Sequence, residues 1–272
     1  MDATRLAWGA GALAAGMGLS ALSAWAVMRG GRRLPPALRL LLEAGLLKLT
    51  LASRGLDRAA GEVEAALRRD DLPEARRLLS WHLVSRDTAE LDAEEVAGAA
   101  VESVAENLTD AFVAPLCAYA LGGLPGVWAY RFCQTADSMW GYHDEEREWL
   151  GKPAARLDDA LNWLPARLAA GLLAAAARLV EGRANAENAW RTRATQAGNT
   201  ASPNAGQTMA TMAGALGVTL TKRGHYALAG GDAAITPDVL ARGRRIARTA
   251  AWLGAALAAA ALSLRRGRSE AT

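Results

Sequence analysis

Glu102, Glu106 and Asp110 recur at i, i+4 and i+8 in a stretch that reads as one helix, so their carboxylates line one face. Like charges at that spacing cost about 0.2–0.5 kcal/mol per pair on an exposed helix, and more at the mouth of an apolar segment. A cation must compensate them, and arginine, lysine or a metal ion would serve. A hard divalent ion such as Mg²⁺ takes oxygen ligands and commonly travels with phosphate. The same spacing also describes a solvated acidic face that precedes a membrane segment, and spacing leaves both readings open.

A second cluster begins at Gln134, Asp137 and Ser138, runs through His143-Asp144-Glu145-Glu146 and ends at Arg156, Asp158 and Asp159. Asp158 and Asp159 point to different sides of a helix, and Asn162 shares the face of Asp158. The dipole of a following helix over 160–180 accounts for one aspartate near its start, but not for Arg156 and Asn162 beside it. A third cluster, Ser202-Pro203-Asn204-Ala205-Gly206-Gln207, reads as a tight turn ahead of a helix. Backbone N–H groups at such a start can hold an anion or phosphate. A plain loop with an N-cap has the same appearance.

Other chemistry is poorly signalled. Cys117 and Cys133 form no disulfide framework or zinc set, and His82, His143 and His225 lack ligand spacing. Gly9-x-Gly11-x-x-Ala14 matches a dinucleotide fingerprint as a string, but it lies in an apolar run with no strand before it, which favours small-residue helix packing. There is no P-loop string and no signal for a Ser or Cys nucleophile with a nearby His.

The elements that must position these groups are helical. Leu6–Met28 carries no charge over 23 residues, Ala111–Tyr130 over 20 and Thr249–Leu264 over 16. A bilayer span needs about 20 apolar residues, which argues against a purely soluble enzyme. The first run is too long for a signal-peptide core. With Arg29, Arg32, Arg33 and Arg39 behind it, it reads as a signal anchor whose arginines face the cytoplasm. Pro35-Pro36 breaks the chain, and 37–56 reads as helical, either buried or interfacial. Residues 57–96 suggest two antiparallel helices with a turn at Pro73. Asp92 and Glu95 form a capping-box pattern that starts a long helix. Gly122-Gly123-Leu124-Pro125-Gly126 should split the second apolar run into two half-helices meeting at a turn, an arrangement open to re-entry into the membrane. Residues 160–180 are rich in Ala and Leu, 185–245 read as polar loop and short helix, and no useful strand alternation is visible. The expected fold is all-α, a polytopic membrane bundle with broken or re-entrant helices and a helical cytoplasmic portion.

One domain is expected over 1–272. It comprises an anchor at 6–28, polar helices with the acidic face at 57–110, broken helices and site loops at 111–245, and a C-terminal apolar helix at 249–264. Hydrophobic residues make up 51% and charged residues 22%, which excludes disorder, while mean hydropathy is only +0.04, which argues against a bundle made of spans alone. The net charge of +3 is too small to argue for nucleic acid, and the basic residues lie beside apolar runs where lipid headgroups can meet them.

Taken in order, several segments resemble one family. They are Arg86-Asp87-Thr88, Ala99–Asn107 with Asp110, Ala114-Pro115-Leu116, Gly122–Gly126, Asp137-Ser138-Met139 with Gly141-Tyr142, Ala155–Asp159 with Asn162 and Pro165-Ala166-Arg167, Ser202–Gly206, and Met212–Val218. The chain is similar over about 37–245 to the adenosylcobinamide-phosphate synthase family of cobalamin (vitamin B12) biosynthesis. The resemblance implies a multi-pass enzyme of the bacterial inner membrane with its active site facing the cytoplasm. It would join aminopropanol phosphate, or a related amino-alcohol, to the free carboxylate of adenosylcobyric acid as an amide, consuming ATP with Mg²⁺. Phosphorylating the carboxylate creates a leaving group, and the metal neutralises charge on the transferring phosphoryl. In that light Glu102, Glu106, Asp137 and Asp158 are the catalytic candidates, with Glu102, Glu106 and Asp110 as metal ligands. Arg86, Asp87, Asn107, Arg156, Ser202 and Asn204 are the candidates to bind substrate or phosphate. Glu102, Asp137, Arg156 and Asn204 are expected around one polar cavity at the cytoplasmic membrane surface.

The implied partners are the corrinoid, the amino-alcohol phosphate and the bilayer, together with a homo-oligomer or other corrin-pathway enzymes, and no nucleic acid. Departures accompany the resemblance. The family's Gly-Asp-Pro segment and its following His-Pro are missing, Gln134 stands where Asn is common, Asn199-Thr200-Ala201 where His-Pro is usual, and Gln207 where Trp is usual. A non-catalytic membrane regulator or assembly partner on the same scaffold is the competing reading, and a transporter with broken helices is a third.

Overall fold

The computed structural model describes residues 2–140 and 148–269. In chain order the elements are α1 (Asp2–Gly31), α2 (Pro36–Leu49), α3 (Ser53–Leu67), α4 (Leu72–His82), α5 (Ala93–Leu108), a π-helical turn (Thr109–Val113), α6 (Ala114–Trp140), α7 (Glu148–Val180), α8 (Arg183–Gln196), a 3₁₀ turn (Ala197–Asn199), α9 (Ala205–Leu216), the strands β1 (Thr219–Lys222) and β2 (Tyr226–Ala229), and α10 (Pro237–Ser269). The all-α expectation holds. Three helical stretches are long and apolar enough to cross a membrane: Asp2–Gly31, Ala93–Trp140 and Trp149–Val180. The third, in α7, adds to the expected C-terminal run. Residues 249–264 are the far part of α10, whose first turns carry Arg242, Arg244, Arg245 and Arg248.

The chain forms two compact units, Met1–Leu51 with Ala114–Trp163, and Ala52–Val113 with Leu164–Thr272. In the first, α1 runs along α6. Its Leu13 packs with Cys133, Ala136 and Ala154, and further along Ala24 packs with Leu124 and Val127. Small residues allow the approach, because a Cβ on Gly16 would fall 2.0 Å from the Phe132 ring and one on Gly9 2.1 Å from the Leu150 carbonyl oxygen. Gly11 has nothing within 4 Å, so helix packing accounts for Gly9 and Gly16 but not for Gly11. Trp8, Leu19 and Trp25 leave an apolar face of α1 uncovered, as a lipid-facing helix requires.

The expected break in the second apolar run lies at Gly123, where φ is 61° and ψ −154° inside α6. That conformation is nearly closed to residues with a Cβ. Gly123→Ala should therefore cost about 1–3 kcal/mol, read as a lower melting temperature of the detergent-solubilised protein. An unchanged melting temperature would show that the kink is not needed.

In the second unit α5 is central, and Val96, Ala97, Ala100 and Val101 are fully or almost fully buried against α3, α9 and α10. Asp92 caps it as expected. Its carboxylate accepts from Glu95 N at 2.9 Å, and Glu95 accepts from Asp92 N at 2.9 Å. The helices expected over 57–96 are α3 and α4, whereas the helix expected over 37–56 ends at Leu49 and α3 begins anew at Ser53. The stretch 185–245 is far more ordered than its polar composition suggests. α9 is buried on nearly every face, so it lacks the one-sided periodicity by which a surface helix is recognised. β1 and β2 pair antiparallel, Lys222 opposite Tyr226, in sequence where no strand is expected.

With these apolar helices the protein should resist release from membranes by carbonate or high salt. Folded monomer recovered in the soluble fraction without detergent would overturn that reading.

Candidate active site

The second unit contains a polar cleft of about 370 Å³ lined by Arg86, Glu90, Lys222, Arg223 and His225, among others. Its floor comes from the connection between α4 and α5, which is held on both sides. Thr88 Oγ1 donates to the Arg76 carbonyl at 3.0 Å, Arg76 Nε to the Leu91 carbonyl at 2.6 Å, and Ser103 Oγ of α5 to the Leu83 carbonyl at 2.8 Å. Arg86 is thereby set against α5, with Nη2 3.6 Å from Glu102 Oε2. Glu102 is only 6% exposed, and its Oε1 is enclosed with no hydrogen-bond partner. A buried acceptor in that condition calls for an explanation.

Lys222 and Tyr226 reach the same carboxylate from the hairpin, and the Lys222 charge acts on Glu106 as well. The cations that compensate the acidic face are therefore Arg86 and Lys222. Burial, together with the neighbouring carboxylates of Glu102 and Glu106, pushes the Tyr226 phenol well above its ordinary range, so it stays protonated and able to donate. Arg223 pairs with Glu95, which fixes the hairpin to the start of α5.

The three carboxylates do not share one environment. Glu102 is buried and Glu106 exposed, both on regular helix, while Asp110 is half-buried within the π-helical turn. Such a turn takes in an extra residue, which rotates the downstream helix by roughly 100°. Regular i, i+4, i+8 geometry therefore ends before Asp110. Among the described residues no three His, Cys, Asp or Glu side chains form a group that could hold a metal by themselves. Mg²⁺ rarely needs such a cage, since it retains waters and binds through one or two carboxylates plus substrate phosphates.

Other expected site residues have local partners. Asp87 Oδ1 accepts from Ala89 N at 2.9 Å and shapes the turn beside Arg86. Asn107 Nδ2 donates back to Ser103 O at 2.9 Å. Ser202 Oγ accepts from Asn204 N at 3.2 Å and from Ala205 N at 3.3 Å, a local turn that leads into α9. Asn204 is buried at the start of α9.

Asp137, Arg156 and Asp158 belong to the first unit, and Glu102 and Asn204 to the second. In the first unit Asn162 is 2% exposed. It donates from Nδ2 to Asp158 Oδ2 at 2.9 Å and accepts from the Tyr130 hydroxyl at 2.9 Å. The pairing of Asp158 with Asn162 follows from their spacing, while Tyr130 comes from another helix. Asp158 Oδ1 is enclosed without a partner, Asp137 is half-buried, and Arg156 is exposed. Gly141, Tyr142, His143-Asp144-Glu145-Glu146 and Arg147 lie outside the described residues.

Lys222 and Tyr226 are the site residues that sequence reasoning missed. The available signal was brief, two four-residue alternations, Thr-Leu-Thr-Lys and Tyr-Ala-Leu-Ala, around a glycine-containing turn with Gly224 at φ 73°.

Comparison with known proteins places these features in context. A family model described as CobD/Cbib protein matches residues 2–262. The chain is 44% identical over 189 residues to cobalamin biosynthesis protein CobD of Dehalococcoides mccartyi, covering 70% of this chain and 60% of that protein. It is 41% identical over 205 residues to cobalamin biosynthesis protein CbiB of Salmonella arizonae (75% and 63%), and 42% identical over 206 residues to CobD of Geobacter metallireducens (75% and 63%). The matched region thus spans 60–63% of the length of these relatives. No solved structure matches the chain.

Proposed function

The chain belongs to the CobD/Cbib protein family, and from that premise we propose that it is a multi-pass enzyme of cobalamin biosynthesis in the bacterial inner membrane, with its site facing the cytoplasm. The reaction joins an amino-alcohol phosphate, such as aminopropanol phosphate, to the free carboxylate of adenosylcobyric acid. The observation that carries this reading is the buried Glu102 carboxylate 3.6 Å from Arg86, which together with Lys222 and Arg223 lines the polar cleft. A buried acid next to two cations is a costly arrangement for a merely structural face.

Amide formation from an acid and an amine needs an activated acyl group and a deprotonated amine. ATP supplies the first by transferring a phosphoryl to the carboxylate, and phosphate leaves as the amide forms. Mg²⁺ bound with the nucleotide would neutralise charge on that phosphoryl, and Glu106 and Asp110 would be the residues to hold it. Glu102 is the group suited to take a proton from the amine, because water is excluded from it and Arg86 orients it. In the first unit, Asp158 is held by Asn162 and Tyr130 as a second oriented carboxylate, with Asp137 as a further candidate, and Arg156 offers a planar fork for phosphate. A cluster of basic residues at 242–248 and the arginines at 29–33 are consistent with the cytoplasmic assignment.

The test is direct. Purified protein is mixed with adenosylcobyric acid, aminopropanol phosphate and Mg-ATP, and amide product is followed together with ADP. Product that depends on all three substrates is expected. No product under conditions where a relative from the same family turns over would favour the non-catalytic role.

A further inference from the structure

Between Asp2 and Glu43 the sequence holds no acidic residue, yet Arg29, Arg32, Arg33 and Arg39 fall within that stretch. All four are exposed, and none pairs with a carboxylate among the described residues. Glu43 accepts instead from the Tyr119 hydroxyl at 2.7 Å. Exposed arginines of the second unit are matched differently, Arg58 by Glu62, Arg77 by Glu74 and Arg183 by Glu187. The four unmatched arginines occupy one corner of the first unit. Arg29 lies in the last turn of α1, Arg32 and Arg33 in the connection, and Arg39 in the first turn of α2. The corner is tight. Arg32 N donates to Arg29 O and Arg33 N to Gly30 O, both at 3.3 Å, and a Cβ on buried Gly31 would lie 3.0 Å from Leu42 Cδ2. Apolar side chains adjoin the charges. The Arg29 guanidinium stacks 5.4 Å from the centre of the Trp25 ring, and Leu34, Leu38 and Leu41 are exposed. Uncovered leucines and a tryptophan beside unmatched guanidiniums suit the boundary between acyl chains and headgroups.

We propose that the corner between α1 and α2 is a binding site for anionic phospholipid, independent of the reaction proposed above. The arginines take headgroup phosphates, whose oxygens fit the planar guanidinium fork. Leu34, Leu38 and Leu41 enter the acyl boundary. Charge complementarity selects this occupant. Four like charges at one corner repel one another, and a net negative headgroup relieves that repulsion. A zwitterionic headgroup offers phosphate but brings a cation back among the guanidiniums. A water-soluble anion would match the charges and leave the leucines in water. Only a molecule that is negative at one end and apolar at the other meets both parts of the corner.

Native mass spectrometry of the detergent-solubilised full chain tests this without turnover. The protein is titrated with phosphatidylglycerol or with phosphatidylcholine of the same acyl chains. Phosphatidylglycerol should be retained roughly tenfold or more tightly. Arg32→Gln, Arg33→Gln and Arg39→Gln together should weaken it about a hundredfold, at about fivefold per arginine, and leave phosphatidylcholine unchanged. The melting temperature should hold, because all three side chains are exposed. Arg32→Lys, Arg33→Lys and Arg39→Lys together should keep most of the preference, since the charge is retained. Arg58→Gln with Arg183→Gln, which removes two exposed arginines that have glutamate partners, should leave retention of both lipids unchanged. Equal retention of the two lipids, an unaltered phosphatidylglycerol affinity in the triple glutamine variant, or the same loss in the Arg58 and Arg183 variant would each overturn the assignment. Displacement of the lipid by soluble glycerol phosphate or by polyglutamate would also overturn it, and would give the corner to a free phosphate or an acidic protein.

Discussion

Glu102→Gln should lower amide formation by a factor of about 10²–10⁴ while the protein still folds, because a positioned general base contributes on that order. The substitution keeps the shape of the side chain and removes the charge that would take the amine proton. Folding should survive, since the Arg86 side chain is 27% exposed and keeps contact with water when its partner becomes neutral. Glu106→Gln should also abolish or strongly reduce turnover, through the metal-bound nucleotide rather than the amine. Its exposed position predicts little change in melting temperature. Rates from product chromatography, set beside thermal unfolding, separate the two effects. Unchanged turnover in both variants would return the acidic helix face to a solvated surface.

Gly230→Val should produce the largest structural effect, a loss of about 3 kcal/mol or more. A Cβ at this position would fall 2.3 Å from the Ala213 carbonyl carbon and 2.4 Å from its oxygen. Those are backbone atoms of the buried helix α9, so neither can turn aside as a flexible side chain would. The neighbouring backbone is also pinned, with Gly230 N donating to Val218 O at 3.0 Å and Asn188 Nδ2 donating to Gly230 O at 2.7 Å. The end of the hairpin would have to lift from α9, taking Lys222 and Tyr226 with it. A fall of roughly 6–12 °C in melting temperature is expected from that energy for a domain of this size. Amide formation should fall in parallel. A variant as stable as the parent would mean that this close approach is not required.

Many features of this fold are written locally. Asp92 and Glu95 are three residues apart and satisfy each other's backbone groups, so the start of α5 can be read from four residues. Pro35-Pro36 and Gly122–Gly126 act through backbone dihedrals, which depend on residue type more than on context. Long uncharged runs announce membrane helices because bilayer thickness sets their length. The Asp158–Asn162 bond follows from one turn of helix. Ser202 likewise acts locally, bonding to the N–H groups of Asn204 and Ala205 in the turn before α9.

What local spacing could not supply is the set of partners brought in from elsewhere. The i, i+4, i+8 pattern nominated three equivalent carboxylates, yet a π-helical turn and the packing around α5 leave one buried, one exposed and one half-buried. The pattern required a compensating cation without saying which. Tertiary structure supplies Arg86 from the connection before α5 and Lys222 from a hairpin remote in sequence. Likewise Tyr130 of α6 completes the Asp158–Asn162 chain from a different helix. The physical reason is common to all three. Capping, kinks and helix periodicity are determined within a few residues, whereas the pairing of a buried charge is set by which elements pack together. The sequence by itself therefore determined the helices, their breaks and the residues able to do chemistry, and only the tertiary structure decided which of those residues face one another.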